Sequence, residues 1–230
     1  MRAVTCEALC KTFQQGEEVI TGLDHVDIAI DEGDFVCLSG PSGSGKTTLL
    51  NAIGGLDNPD SGCIMLAGGQ QIDKMSKGAL ADMRLHNIGF VFQAYNLIPV
   101  LSALENIEFV MQVQGIDPTE RRRRALDMLE EVGLAGLHDR RPAQLSGGQQ
   151  QRVAVARAIV SRPELVLADE PTANLDSKTA EHLMDLFVEL NTRHGSTFVI
   201  ATHDSRVMQY ARRLIKMQDG RIVDDIKQRQ

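Results

Sequence analysis

The chain has few of the features that mark membrane, secreted or nucleic-acid-binding proteins. It contains no tryptophan, and no apolar run approaches the roughly 18 residues of a membrane span. Its first residues, MRAVTCEALCKTF, hold no apolar stretch long enough for a signal peptide. The net charge of −7 argues against binding to nucleic acid or anionic lipid through bulk charge. We therefore expect a soluble cytosolic protein whose 230 residues form one large or two small domains.

Cysteine is also scarce. The sequence has four cysteines: Cys6, Cys10, Cys37 and Cys63. The close pair Cys6 and Cys10 lacks the second cysteine or histidine cluster that a zinc site needs. Cys37 lies inside the apolar run FVCLSG, where a thiol behaves as a small hydrophobic group. We expect the cysteines to be reduced and structural.

The alternation of apolar runs with helical patterns predicts the fold class. Short apolar runs that end at polar residues, as buried parallel strands do, occupy 34–40, 164–170 and 196–204. Helical patterns between them occupy 46–53, 149–160 and 178–192. This order predicts an α/β domain with a mainly parallel sheet. Strand-like residues 4–13 and 26–30 predict a second, antiparallel sheet, and Asp219-Gly220 predicts a hairpin turn.

The middle of the chain, about 102–144, has a mostly helical pattern and is interpreted as an insertion in the α/β core. Asp117, Pro118 and Glu120 are the residues expected at a capped helix start. The four arginines at 121–124 indicate a nucleic-acid patch only when taken alone. Consecutive residues spread around a helix, and acidic residues lie close by, so a solvated face is the better interpretation.

Residues 40–47, GPSGSGKT, match the pattern G-x4-G-K-[ST] between an apolar strand and a helix. The glycines let backbone N–H groups curl around an anion, and the helix N-terminus adds positive potential. Lys46 supplies a charge to the β- and γ-phosphates, and Thr47 offers a hydroxyl to Mg²⁺. A plain glycine turn is the alternative. The predicted nucleoside triphosphate site consists of Gly40, Pro41, Ser42, Gly43, Ser44, Gly45, Lys46, Thr47 and Thr48.

Two further motifs carry chemistry. Asp169 and Glu170 end an apolar run, where one carboxylate can serve Mg²⁺ and the other the attacking water. Residues 145–152, LSGGQQQR, place Ser146 at the N-cap of a helix. Gly147, Gly148 and Gln149 follow Ser146 directly. This is a second anion-binding helix N-terminus. The residues leave open whether it acts within one chain or across a dimer.

The order and spacing of these motifs, together with Gln93 and His203, resemble the ATP-binding-cassette (ABC) ATPases over essentially the whole chain. The LSGGQ motif separates this family from kinases and GTPases that share the phosphate loop. The resemblance implies an α/β P-loop NTPase (RecA-like) core with an N-terminal antiparallel β subdomain and a helical insertion. It implies one nucleotide-binding domain, 1–230, in which 93–152 form the helical subdomain and 1–92 with 153–230 form the rest.

The resemblance also assigns roles to individual residues. It implies a homodimer that sandwiches two ATP molecules head to tail, so the LSGGQ of each chain caps the γ-phosphate held by the other. Glu170, His203, Gln93 and Lys46 are the implied catalytic residues. Mg²⁺ is expected at Thr47, Gln93 and Asp169. Phe13 stands where the family has an aromatic residue that stacks on adenine; the alternative is a core phenylalanine. Residues 173–176, ANLD, resemble the loop linking the two sites, although serine is more usual at the first position.

Residues 93–101 are the expected docking site for a membrane permease, although a local core is the alternative for their apolar side chains. Residues 12–28, expected to form an extended loop between two early strands, are similar to the lipoprotein-release and macrolide-export (LolD/MacB-like) ATPases. That subfamily implies export or extraction of lipoprotein, lipid, peptide or drug at the cytoplasmic face of the inner membrane. Its permeases have large extracytoplasmic domains. The alternatives are a non-transport ABC ATPase and the cassette of a small-solute or cell-division complex.

Overall fold

The computed structural model describes residues 1–228, so the last two residues of the expected 1–230 domain lie outside the described range. An antiparallel sheet has the order β2-β1-β4-β5. Its strands are β1 Arg2–Gln15, β2 Glu18–Asp31, β4 Ser61–Leu66 and β5 Gln70–Gln71. The expectation of an extended loop at 12–28 is wrong. The two strands pair as far as Gln15 and Glu18, because the turn between them needs only Gly16 and Glu17.

A larger sheet lies behind the first and has the order β10-β9-β3-β8-β7-β6. Its strands are β3 Phe35–Ser39, β6 Ile88–Phe92, β7 Leu165–Asp169, β8 Thr197–Thr202, β9 Arg213–Gln218 and β10 Arg221–Lys227. All neighbouring pairs are parallel except β10 with β9, which form the hairpin expected at Asp219-Gly220. The three predicted parallel strands are confirmed as β3, β7 and β8. Every residue of β3 and β8 is buried, which explains their continuous apolar runs.

The helices are α1 Lys46–Ile53, α2 Lys77–Asn87, α3 Ala103–Val113, α4 Pro118–Glu131, α5 Gly147–Ile159, α6 Ser177–His194 and α7 Ser205–Met208. The structure confirms the prediction of α1 to the residue, and α5 begins two residues before the predicted start. The expected subdomain boundary at 152/153 falls inside α5, which runs through it without a break. In the described part of the chain, no helix is long and apolar enough to cross a bilayer.

The start of α4 follows the predicted pattern in part. The carboxylate of Asp117 accepts hydrogen bonds from the N–H groups of Thr119 (2.9 Å) and Glu120 (3.4 Å). The side chain of Glu120 does not return to the cap, since it binds Arg123 (2.9 Å) and Arg124 (2.6 Å). Arg123 and Arg124 are therefore paired with acidic residues along the helix, and such pairs are worth about 0.2–0.5 kcal/mol each. Arg121 differs, because its Nε is buried without a hydrogen-bond partner among the residues that the structure describes.

The six-stranded sheet separates two hydrophobic cores. On one face, α3, α4, α5 and α6 pack around residues such as Phe187 and Phe198. On the other, α1 and the antiparallel sheet pack around residues such as Leu49 and Ile64. All four cysteines are free, with Cys6 and Cys37 buried as small core residues. The parallel sheet is thus packed on both faces, and this packing fixes the positions of the carboxyl ends of its strands.

Candidate functional site

The predicted site residues meet at one edge of the parallel sheet. The loops after β3, β6, β7 and β8 leave the same edge, because parallel strands all end there. They open onto a cavity of about 580 Å³. The cavity is lined by Phe13, Ile20, Thr21, Gly22, Pro41, Ser42, Gly43, Ser44, Gly45, Lys46, Thr47, Thr48, Gln93, Asp169, Glu170 and His203. The structure therefore brings together the phosphate loop, both acidic residues, Gln93, His203 and Phe13.

The phosphate loop requires glycine at Gly45, where φ is +99°. A Cβ there would lie 2.4 Å from the carbonyl oxygen of Gly22, so no side chain fits. The Lys46 ammonium is buried and donates to the carbonyl oxygens of Gly40 and Pro41, both at 2.8 Å. Gly40 contributes to the site in this way without lining the cavity. The loop thus holds a buried cation at the N-terminus of α1, which is an arrangement suited to a polyphosphate.

Oxygen donors lie beside the phosphate loop. Thr47 Oγ1 donates to Asp169 Oδ1 at 3.1 Å, joining the start of α1 to the end of β7. Burial raises the pKa of Asp169, and the charge of Glu170 adds to this, while the Thr47 hydrogen bond and Lys46 oppose it. Gln93 lines the same cavity. A hydroxyl, a carboxylate and a carboxamide form the hard oxygen set that Mg²⁺ prefers, so the residues present fit that ion.

Glu170 is held in a strained conformation next to Asp169. Its φ of +45° is rare for a residue with a side chain, and its N–H donates to the carbonyl of Ala201 (2.9 Å). Its carboxylate contacts His203 Nδ1 at 2.7 Å and accepts from Thr202 Oγ1 at 3.0 Å. The two acids therefore have different partners in the structure. Thr202 was missed, because a buried threonine at a strand end gives no distinctive signal.

The β1–β2 hairpin supplies the other end of the cavity. Phe13 and Ile20 are cross-strand partners and are 40% and 43% exposed, so Phe13 is not a core phenylalanine. A Cβ at Gly22 would lie 2.6 Å from the Phe13 ring, so glycine at this position leaves room for the ring. Ile20, Thr21 and Gly22 were missed by the sequence analysis. The pairing of Ile20 with Phe13 across a hairpin turn at Gly16 could have found them.

The LSGGQ segment begins α5 with reciprocal caps. Gln149 N–H donates to Ser146 Oγ (3.3 Å), and Ser146 N–H donates to Gln149 Oε1 (2.9 Å). Gly148 is packed closely inside its own chain, since a Cβ there would lie 2.5 Å from Thr179 Cγ2 on α6. Residues 146–149 are not among the described residues that line the cavity. This helix N-terminus is therefore separate from the described lining of the cavity that holds the phosphate loop of its own chain.

Residues 93–101 form an irregular segment between β6 and α3. Asn174 Nδ2 donates to the carbonyl of Gln93 at 3.0 Å, and Asn106 bonds both the N–H (2.8 Å) and the carbonyl (3.2 Å) of Ile98. Leu97 packs against the core, whereas Val100 is 72% exposed. The apolar residues of the segment are thus divided between local core and surface.

Comparison with known proteins identifies the family. A family model described as ABC transporter matches residues 23–173. The chain is 45% identical over 224 residues to the uncharacterized ABC transporter ATP-binding protein YvrO of Bacillus subtilis (strain 168), covering 96% of each. It is 46% identical over 212 residues to an uncharacterized ABC transporter ATP-binding protein of Thermotoga maritima, covering 92% of this chain and 90% of that protein.

Two further similarities are informative. The macrolide export ATP-binding/permease protein MacB of Sodalis glossinidius is 43% identical over 224 residues, and the chain spans 34% of its length. A dimeric structure of the ATP-binding cassette MJ0796 in a post-hydrolysis state, bound to ADP and Pi, is 43% identical. The two structures share a TM-score of 0.91 and cover 99% of each other. A second dimeric structure of MJ0796, described as a bacterial ABC transporter cassette, gives the same values.

These similarities confirm the expected P-loop NTPase core, antiparallel β subdomain and resemblance to lipoprotein-release and macrolide-export ATPases. The post-hydrolysis neighbour bound to ADP and Pi also confirms the expected enzyme class, an ATPase. The family model covers more than half of the chain, and the two full-length relatives align over nearly all of it. The chain therefore belongs to the ABC transporter family as an ATP-binding and ATP-hydrolysing cassette.

Proposed function

We propose that the chain works as a homodimer in which the LSGGQ segment of each copy completes the nucleotide site of the other. The observation that carries this proposal is the position of Ser146, Gly147, Gly148 and Gln149 outside the cavity that holds the phosphate loop. A capped helix N-terminus that does not line its own chain's cavity is available to a second copy. The solved relatives described as dimeric support a dimer of this chain.

We propose roles for the residues of the cavity in binding ATP. Residues 40–48 hold the phosphates, and Phe13 stacks on adenine. Lys46 leaves the carbonyls of Gly40 and Pro41 for phosphate oxygens, exchanging one set of hydrogen bonds for a charge-assisted set. Thr47, Asp169 and Gln93 would hold Mg²⁺, which supplies positive charge to the phosphates when bound.

Hydrolysis is the in-line attack of water on the γ-phosphorus, which breaks the bond to the oxygen bridging the β- and γ-phosphates and releases ADP and inorganic phosphate. The carboxylate of Glu170 orients and polarises that water. His203 Nδ1 lies 2.7 Å from the Glu170 carboxylate, so the imidazole reaches the γ-phosphate beside it and donates a hydrogen bond to that phosphate. Lys46 stabilises the charge that builds on the transferred group. Catalysis in this site is positioning and electrostatic stabilisation by groups that are already within reach of one another.

The dimer drives a separate permease at the cytoplasmic face of the inner membrane, and the permease docks on residues 93–101. The exposed Val100 and the irregular backbone of this segment support the docking site. The proposed cargo class is lipoprotein, lipid, peptide or drug, exported or extracted through a permease with a large extracytoplasmic domain. The similarity to a protein named for macrolide export supports this class over a small-solute, cell-division or non-transport cassette.

The dimer is tested with Glu170→Gln, which keeps the shape of the side chain and removes its charge. We expect this variant to bind ATP, to stop turning over and to elute from gel filtration as an ATP-dependent dimer. Glu189→Gln is the matched control, because its carboxylate pairs with Arg193 (2.6 Å) on the surface of α6. Elution of Glu170→Gln as a monomer with ATP would contradict the proposed dimer.

The permease is tested by detergent extraction of native membranes and purification of the tagged chain. We expect an integral membrane protein, encoded beside this chain, to co-purify. Val100→Glu should abolish its capture and leave ATP binding intact. Val223→Glu, at a 58% exposed valine on β10, should abolish neither. Equal capture by the two variants would rule out docking on residues 93–101.

A further inference from the structure

A bulge in the β1–β2 hairpin brings three metal-ligating side chains together. The register of the two strands shifts by one residue at Cys10, which therefore faces both Asp24 and His25 of β2. Consecutive residues of a regular strand point to opposite faces of a sheet, but His25 has a φ of +50°, which residues with side chains rarely adopt. The two neighbouring side chains consequently meet, and His25 Nδ1 lies 2.6 Å from Asp24 Oδ1.

The donor atoms of the three side chains are close enough to share one ion. One ligand atom from each of Cys10, Asp24 and His25 lies within 4.8 Å of the other two. Tetrahedral zinc, with bonds of about 2.0–2.3 Å, needs its ligand atoms about 3–4 Å apart. The His25 side chain is 76% exposed, so it has room to turn through the small distance that remains. Cys10 is a half-buried free thiol, whereas Cys6 is buried in the core and takes no part.

The carboxylate of Asp24 is held in place by an arginine of the other sheet. Arg221 of β10 donates from Nε to Asp24 Oδ2 at 2.7 Å, which leaves Oδ1 on the side of His25. Hydrogen bonds from His25 and Arg221 lower the pKa of Asp24, so this ligand is anionic at neutral pH. The Asp24 N–H also donates to the carbonyl of Gly220 at 2.9 Å. Outer contacts of this kind fix the orientation of a metal ligand before the ion binds.

We propose that Cys10, Asp24 and His25 form a zinc-binding site in which a water molecule completes a tetrahedral set of ligands. A thiolate, an imidazole and a carboxylate are the three ligand types that Zn²⁺ takes in proteins. Sulfur favours zinc over Mg²⁺, which binds oxygen ligands. Binding releases the thiol proton of Cys10 to solvent, and the thiolate and Asp24 then carry two negative charges against the one positive charge of Arg221. The site does not depend on the ATPase activity or on the dimer.

The sulfur ligand is tested with Co²⁺ as a spectroscopic substitute for zinc, on the purified, nucleotide-free full chain without an affinity tag. Coordination of Co²⁺ by a thiolate gives an intense near-ultraviolet absorption band that oxygen ligands do not give. We expect this band in the parent chain, its loss in Cys10→Ser, and its retention in the control Cys63→Ser, which changes the other half-buried free cysteine. A parent chain without the band, or a band lost equally in both variants, would overturn the proposal.

Calorimetry with Zn²⁺ tests the other two ligands. Asparagine tolerates a positive φ, so His25→Asn keeps the bulge and removes the imidazole. We expect His25→Asn and Asp24→Asn each to weaken Zn²⁺ binding by at least about tenfold. The control His86→Asn changes a histidine of α2 that lies 3.5 Å from Asp82, and it should bind zinc as the parent does. Parent-like zinc affinity in His25→Asn, or displacement of the zinc by excess Mg²⁺, would contradict the assigned ligands.

Discussion

Removing the Phe13 ring is the most direct test of how the cavity recognises a nucleotide. The ring lies on the β1–β2 hairpin and is 40% exposed, so Phe13→Ala opens no large void in the core. Stacking of a base on an aromatic side chain is worth about 1–3 kcal/mol, which corresponds to about a 5- to 150-fold loss of ATP affinity. The phosphate loop is untouched by this change, so binding of inorganic tripolyphosphate should stay the same.

The assay uses the absence of tryptophan from the chain. Phe13→Trp keeps an aromatic ring at the site and makes it the sole tryptophan, whose emission should change when ATP binds and not when tripolyphosphate binds. Calorimetry then gives Kd for the parent, Phe13→Ala and the control Val19→Ala, a 64% exposed valine outside the cavity. Equal ATP affinity of Phe13→Ala and Val19→Ala, or a parallel loss of tripolyphosphate binding, would refute the assignment of Phe13 to the base.

The remaining predictions concern the rest of the cavity. Lys46→Ala should weaken ATP binding by at least about tenfold, since it removes charge-assisted hydrogen bonds to the phosphates; calorimetry showing unchanged affinity would contradict the phosphate-loop assignment. Gly22→Ala places a methyl 2.6 Å from the Phe13 ring and 3.2 Å from Thr48 Cγ2, so it should lower ATP affinity at least as much as Phe13→Ala; unchanged affinity by calorimetry would contradict it. Burial raises the pKa of Asp169, so its charge opposes folding once the pH exceeds the unfolded-state value. Asp169→Asn should therefore raise the Tm of the nucleotide-free chain at pH 7, and this gain should disappear below about pH 4; a lower Tm at pH 7 would contradict it.

Much of the parallel sheet could be predicted because burial on both faces leaves an unmistakable pattern. Residues 35–39 and 165–169 are apolar at nearly every position, and a polar group appears where each strand reaches the cavity. The start of α1 at Lys46 follows from the phosphate motif itself. The amphipathic helix α2 and the full length of the β1–β2 hairpin were not predicted, since their exposed faces dilute the periodicity.

The contacts that assemble the site have no local signal. Asn174 reaches Gln93 across 81 residues, and Arg157 reaches Tyr95 across 62. Each of these side chains is ordinary in its own stretch of sequence, and only the three-dimensional arrangement gives it a partner. The motif residues could be predicted because their chemistry is encoded locally, whereas the residues that hold them in place depend on the tertiary fold.

The buried ammonium of Lys46 bears on the thermodynamics of nucleotide capture. It donates hydrogen bonds to two peptide oxygens of its own loop. In the proposed role of Lys46, phosphate oxygens would replace those acceptors, so that nucleotide capture would be an exchange of hydrogen-bond partners. Such an exchange would cost little conformational entropy, and the affinity of the loop would reflect the difference between a peptide oxygen and a phosphate oxygen as acceptors.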